Sequence, residues 1–164
     1  GLSTNEVYID IPPLRVVHES YSFPYLEANT SNDVDGDFMG KGLPTVADAV
    51  GFSFEMPRNL IKIEEARLWW CGTGTALDTS DTYTIDVSGG IDDETTTATY
   101  GGITAAALTV AANDLAVADV TAAFDETGLQ KPGNVTAVDV NKAAEGSGGD
   151  DPIMLCVSIV FVVC

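Results

Sequence analysis

Residues 150–164 read DDPIMLCVSIVFVVC, and after Pro152 the chain is almost wholly apolar. Such a run belongs in a bilayer, in the middle of a sheet, or on a surface that another molecule covers. A membrane-spanning helix needs about twenty apolar residues, and this run supplies about a dozen. Its Val and Ile content favours extended backbone, where β-branched side chains pack well. A strand apolar on both faces lies at the centre of a sandwich, or turns one face to another subunit. A membrane anchor is therefore excluded, and a central strand is predicted.

The segments before it carry strand signals at turn-bounded spacing. GFSFEMP alternates Phe52, Phe54 and Met56 with polar partners. LIKIEEARLWWCG allows a helix in its middle, but its aromatic end and apolar content predict a strand. DTYTIDVSGG alternates Tyr83, Ile85 and Val87 and stops at Gly89-Gly90. TTTATYGG is a further short strand. Leu115 to Val120 is predicted as a strand leading into a turn or one helical turn at TAAFDETG, and GNVTAVDVNK alternates again. The sum is an all-β chain, a jelly-roll-type β-sandwich over residues 51–164.

Residues 1–50 look different. Pro12 and Pro13 remove donors and push the chain toward extended structure. The stretch SYSFPYLEANTSNDVDGDFMGKGLP reads as a long connection, which in a compact domain usually serves a purpose. An N-terminal arm is expected here, carrying subunit or partner contacts through Tyr8, Ile9, Ile11, Leu14, Val16, Phe23 and Tyr25. Leaving that apolar surface in water is costly, so the arm should run along a neighbour. Removal of residues 1–26 should leave a folded sandwich that no longer assembles. The chain opens on Gly1, which fits a removed leader and a trimmed Met alike.

Seven basic residues oppose twenty-five acidic ones, a net charge of −18. Phosphate binding needs Lys and Arg to displace counterions, so nucleic acid is not an expected partner. Cys71, Cys156 and Cys164 show no zinc spacing. On one strand Cys156 and Cys164 would stand roughly 27 Å apart, at about 3.3–3.4 Å per residue, and cannot bond to each other. Cys71 can meet one of them across a sheet, but three buried free thiols are the expectation.

Catalytic signatures do not emerge. His18 is the sole histidine, has no nucleophile motif beside it and is predicted to be a surface residue. In NDVDGDF, Asp33, Asp35 and Asp37 alternate around Gly36, so their carboxylates can converge on a hard cation such as calcium. The start resembles an EF-hand loop, but Pro44 stands where the distal glutamate belongs, and a solvated acidic turn is the alternative. The adjacent Trp69 and Trp70 must point to opposite faces of a strand, one into the core and one outward. With Tyr100 they are candidates for stacking on sugar rings. No catalytic or cofactor-binding residue is assigned.

The succession FSFEMP, IEEARLWW, DTYTIDV, ANDLAVADVT, LQKPGNVTAVDV and DDPIMLCVSIVFV, over residues 51–163, resembles the jelly-roll accessory proteins of tailed-virus particles. Those often have Gly-Asp where this chain has Gly133-Asn134. The DVT strand followed by paired closing strands is similar to secreted carbohydrate-binding sandwiches. The first resemblance implies a non-enzymatic capsid decoration or surface accessory protein. It would form a homo-oligomer, with a trimer favoured, among other structural proteins on a virion or extracellular surface. The second implies a carbohydrate-binding module, with or without calcium. A pilus-like subunit that donates its arm as a strand is the third expectation.

Overall fold

A computed structural model describes residues 13–24, 32–35, 38–72, 81–91, 94–104, 115–125, 128–146 and 151–164, with the backbone alone for 32–35, 91 and 94–104. Among them are ten strands: β1 Arg15–Ser22, β2 Asn32–Asp35, β3 Phe38–Gly42, β4 Ala49–Glu55, β5 Leu60–Cys71, β6 Thr82–Ile91, β7 Glu94–Thr104, β8 Leu115–Asp119, β9 Val135–Ala144 and β10 Ile153–Val163. A single 3-10 turn, Thr121–Phe124, follows β8. No helix among the described residues is long and apolar enough to cross a membrane.

The strands form two antiparallel sheets. One runs β2-β3-β10-β5-β8, with β1 also on β10, and the other β4-β9-β6-β7. The pairs β3·β10, β4·β9, β5·β8 and β6·β7 are nested in sequence and alternate between the sheets. The chain is thus one long hairpin wound around a core, which is the jelly roll.

β10 is the central strand that its composition predicts. β5 follows its whole length on one edge, β1 takes residues 156–163 of the other edge, and β3 takes Ile153 and Met154. Val157, Ile159 and Phe161 point into the sandwich. They meet Phe54, Val87, Val138 and Val140, inward-facing residues of the four-stranded sheet. At about 25 cal/mol per Å² of apolar surface, this two-sided burial makes β10 a major contributor to stability. The strand reading of β5 also holds: Leu60, Ile63, Ala66, Leu68 and Trp70 are all buried.

The structure corrects the view of residues 13–50 as an arm and connection. β1 pairs with β10 from Arg15 to Ser22, and Phe23, expected as a partner contact, is buried in the core with Tyr21 stacked on Phe54 at 4.4 Å. The physical reason is that Val17, Tyr21 and Phe23 already have a partner in the chain's own sandwich. Removal of residues 1–26 would therefore strip a strand from the sheet. β2 and β3 form a hairpin within the supposed loop. Gly40 lets β3 close on β10, because a Cβ there would overlap the Met154 carbonyl oxygen and press on Ile153 and Leu155. Leu14 and Val16 are exposed, at 64% and 58%. Tyr8, Ile9, Ile11 and Tyr25 lie outside the described residues.

None of the three cysteines is in a disulfide, and only Cys71 is fully buried. Cys156 is half-buried, and Cys164 is exposed because it stands beyond the end of β10.

Candidate functional site

Two places carry unusual chemistry. The first is the outer face of the six-stranded sheet. The strand period sends Leu68 and Trp70 inward, so Glu65, Arg67 and Trp69 of β5 face out. The register aligns them with neighbouring strands. Ser22, Cys156, Trp69 and Val117 form one row across four strands, and Ser20, Ser158, Arg67 and Asp119 form the next. His18, Val160 and Glu65 make a third.

Around Trp69 the surface is apolar. Phe38, Met39, Leu115 and Leu155 join it and Cys156 in lining an open cavity of about 270 Å³. Met39, Leu115 and Val117 are 54%, 47% and 41% exposed, so this face keeps apolar area in water. Beneath them a small cluster of Cys71, Ile153 and Leu155 is buried on the outer side of the sheet, separate from the main core. The Trp69 indole Nε1 donates to Ser158 Oγ at 2.9 Å, which fixes the ring plane. In the polar row Arg67 pairs with Glu65 at 2.6 Å, and Asp119 accepts from the Thr121 amide at 2.9 Å. Those Thr121 contacts hold the Asp119 carboxyl below its ordinary range. Apolar platform and fixed polar row thus lie side by side.

The second place is buried at one end of the sandwich. On β9 the inward phase runs Thr136, Val138, Val140 and then Lys142, whose side chain is fully buried. Its Nζ lies 3.1 Å from Asp81 Oδ2, 2.8 Å from Glu145 Oε2 and 2.5 Å from Asp151 Oδ1. Asp81 also accepts from the Gly146 amide at 2.6 Å and from the Tyr83 hydroxyl at 3.3 Å. Burial opposes the Lys142 charge, but the hydrogen bonds to Asp151, Glu145 and Asp81 outweigh it and hold the ammonium above its ordinary pKa. Burial pushes the Asp151 carboxyl up to about 6. Burial works on Asp81 in the same direction, but hydrogen bonds from Asp151, Gly146 and Lys142 leave it below its ordinary value. Burial and the negative charge of Asp81 raise the Tyr83 hydroxyl. One ligand oxygen from each of Asp81, Glu145 and Asp151 lies within 4.8 Å of the others, a spacing that could hold a metal ion.

Sequence reasoning placed a cation elsewhere. Asp33 and Asp35 fall on β2, whose backbone pairs with β3, while Asp37 and all three side chains lie outside the described residues. The Lys142 cluster was missed because Asp81, sixty-one residues earlier, is brought to Lys142, Glu145 and Asp151 only by the fold. One signal was available: a lysine in the inward phase of an otherwise apolar alternation. The adjacent tryptophans showed that one of them faces outward, and the structure makes it Trp69, whereas Tyr100 belongs to β7, where only the backbone is described. His18 is exposed on β1, as expected.

No protein-family profile matches the chain, and no curated protein matches its sequence. Solved structures do. One is the CBM36-1 domain of a multidomain xylanase from the hindgut metagenome of Trinervitermes trinervoides, at 16% identity and a TM-score of 0.39, covering 90% of this chain and 96% of that one. Another is the xylan-binding module CBM15, at 12% identity and a TM-score of 0.44, covering 91% and 97%. A third is dimeric latent PorU from Porphyromonas gingivalis, at 11% identity and a TM-score of 0.42, covering 90% of this chain and 13% of that one.

Proposed function

We propose that the chain is a non-catalytic binding module that holds a neutral carbohydrate against the outer face of its six-stranded sheet. The observation that carries this is the outward Trp69, set in an apolar groove beside the row Ser20, Ser158, Arg67 and Asp119. A pyranose ring has an apolar face of C–H groups and an equator of hydroxyls. The first suits an indole plane, and the second suits fixed donors and acceptors one strand period away. A neutral ligand fits best, because the chain carries a net charge of −18 and would repel an anionic one. Such a module works outside the cell or on a surface, where polysaccharides are met.

Affinity electrophoresis through gels containing neutral polysaccharides tests this. Trp69→Ala should weaken retention by tenfold or more, roughly the 1–3 kcal/mol of a lost stacking contact, with an unchanged far-ultraviolet spectrum. Retention that survives Trp69→Ala would sink the site, and no retention by any neutral glycan would sink the function.

A second role, as an accessory protein of a virus particle, is favoured by Leu14 and Val16. Leu14 just before β1 and Val16 on it are apolar side chains exposed to water, close in the chain to residues 1–12. It requires an oligomer, a trimer by preference, or attachment to another structural protein. Light scattering on the full chain and on a chain lacking residues 1–12 decides it: assembly should be lost with the segment, and a monomer in both cases rejects this role.

A further inference from the structure

We propose that the Lys142 ammonium is a built-in cation, gathering loop ends that in a site of this shape a bound divalent ion would gather. Asp81 stands immediately before β6, Glu145 immediately after β9 and Asp151 two residues before β10. Glu145 and Asp151 flank one loop and Asp81 is more than sixty residues earlier, yet each places a carboxylate oxygen within 3.1 Å of one nitrogen atom. A fourth segment joins through the Pro44 carbonyl, 3.5 Å from the same nitrogen. The backbone of Lys142 is tied to that segment as well. Its amide donates to the Asp48 carbonyl and its carbonyl accepts from Ala47, both at 3.0 Å, and Ala47 is held at a φ of 73°.

Oxygen-only surroundings, drawn from carboxylates and a backbone carbonyl, are what calcium selects. Here the centre is filled by a group on a four-carbon stem rooted in β9. A lone buried ammonium would shed its proton. This one is kept charged by Asp81, Asp151 and Glu145, with the Tyr83 hydroxyl on Asp81 as the other ionisable neighbour. Three carboxylates against one ammonium leave excess negative charge. The Gly146 amide, at 2.6 Å, and the Tyr83 hydroxyl, at 3.3 Å, offset part of it at Asp81. The end of the sandwich is thus closed by covalently supplied charge, and the fold gains independence from dissolved cations. This holds whether or not the outer face binds carbohydrate.

The test compares the full chain with Lys142→Ala by thermal unfolding in chelator, in calcium and in ethylammonium chloride. The parent should melt at the same temperature in all three. The variant should lose roughly 10 °C in chelator, as expected when a buried pair loses one partner, and recover at least half of that loss in calcium or ethylammonium. Terbium luminescence sensitised by Tyr83 should appear in Lys142→Ala and be absent when Asp151→Asn is added. If the single variant does not fold, its refolding yield with and without calcium is the readout. Two results would overturn the proposal. One is a parent whose melting temperature falls in chelator and whose loss is mimicked by Asp81→Asn. The other is a variant that none of the added cations restores.

Discussion

The two sheets bury similar inner faces but present opposite outer ones. On the four-stranded sheet the outward residues of β6 are Thr82, Thr84, Asp86 and Ser88, and β4 and β9 add Ser53, Glu55 and Asp139. On the six-stranded sheet the outward residues include Trp69, Leu115, Val117, Met39 and the buried pair Ile153 and Leu155. The strand-borne basic residues divide in the same way. Arg15, Lys41, Lys62 and Arg67 are on the six-stranded sheet, while the described strands of the other carry only the buried Lys142. A shared inner pattern is the requirement of the fold, and the outer faces are free to differ. The face that departs from polar alternation is where a partner is to be sought.

The sharpest way to break this contrast is to cut equivalent outward positions. Ile153→Ala removes a side chain that is 1% exposed although it lies on the outer side of its sheet. It should cost about 2–4 kcal/mol by chemical denaturation. Ser53→Ala on the other sheet should stay within about 0.5 kcal/mol. Comparable losses would mean that the outer faces are energetically alike.

The pH dependence sharpens it further at the end where the sheets are joined. Asp151, pushed up to about 6, keeps in the folded state a proton that the unfolded chain releases near pH 4. Its contribution is therefore present at low pH and lost as pH rises through about 6, a change of at most about 3 kcal/mol that solvent screening reduces. Asp81 has the opposite sign, gaining stability as pH rises toward the ordinary carboxylate value. The melting profile of the parent should carry a maximum in mild acid, and Asp151→Asn should flatten its fall between pH 4 and 6. An unchanged profile in that variant would remove the buried pair as its cause.

A smaller effect tests the acidic outer face. Asp139 and Asp86 are directly opposed on β9 and β6, and burial together with the Asp86 charge raises the Asp139 carboxyl. Asp139→Asn should stabilise by a few tenths of a kcal/mol at low ionic strength, with the gain vanishing in about 1 M salt. A gain that persists in salt would point to packing instead. Smallest of all, Arg58→Ala breaks a surface pair with Glu55 and should leave the melting temperature unchanged.

Much of this fold was legible because hydrophobic period is a local signal. β6 announces itself through Tyr83, Ile85 and Val87, and β10 through a run too short for a bilayer and too apolar for a surface. β2 and β3 were illegible for the opposite reason. Asn, Asp, Gly and Lys dominate them, and their extended form depends on β10, more than a hundred residues away. That one of Trp69 and Trp70 faces outward followed from strand geometry; that it is Trp69 is set by the register of β5. The Lys142 cluster followed from neither, because contacts of residue 142 with residues 81 and 151 are created by the winding of the hairpin.

β10 follows every other strand in the chain, yet it lies between β1 and β3 on one edge and β5 on the other. During synthesis β1 and β3 therefore emerge long before the strand they pair with. The four-stranded sheet can close once β9 is made, whereas the six-stranded one stays open in the middle. Its unpaired edges and apolar outer side chains are exposed for that interval, and its pairings are among the most non-local in the molecule. Folding should accordingly be slow, with the interval before β10 arrives as the time of greatest aggregation risk.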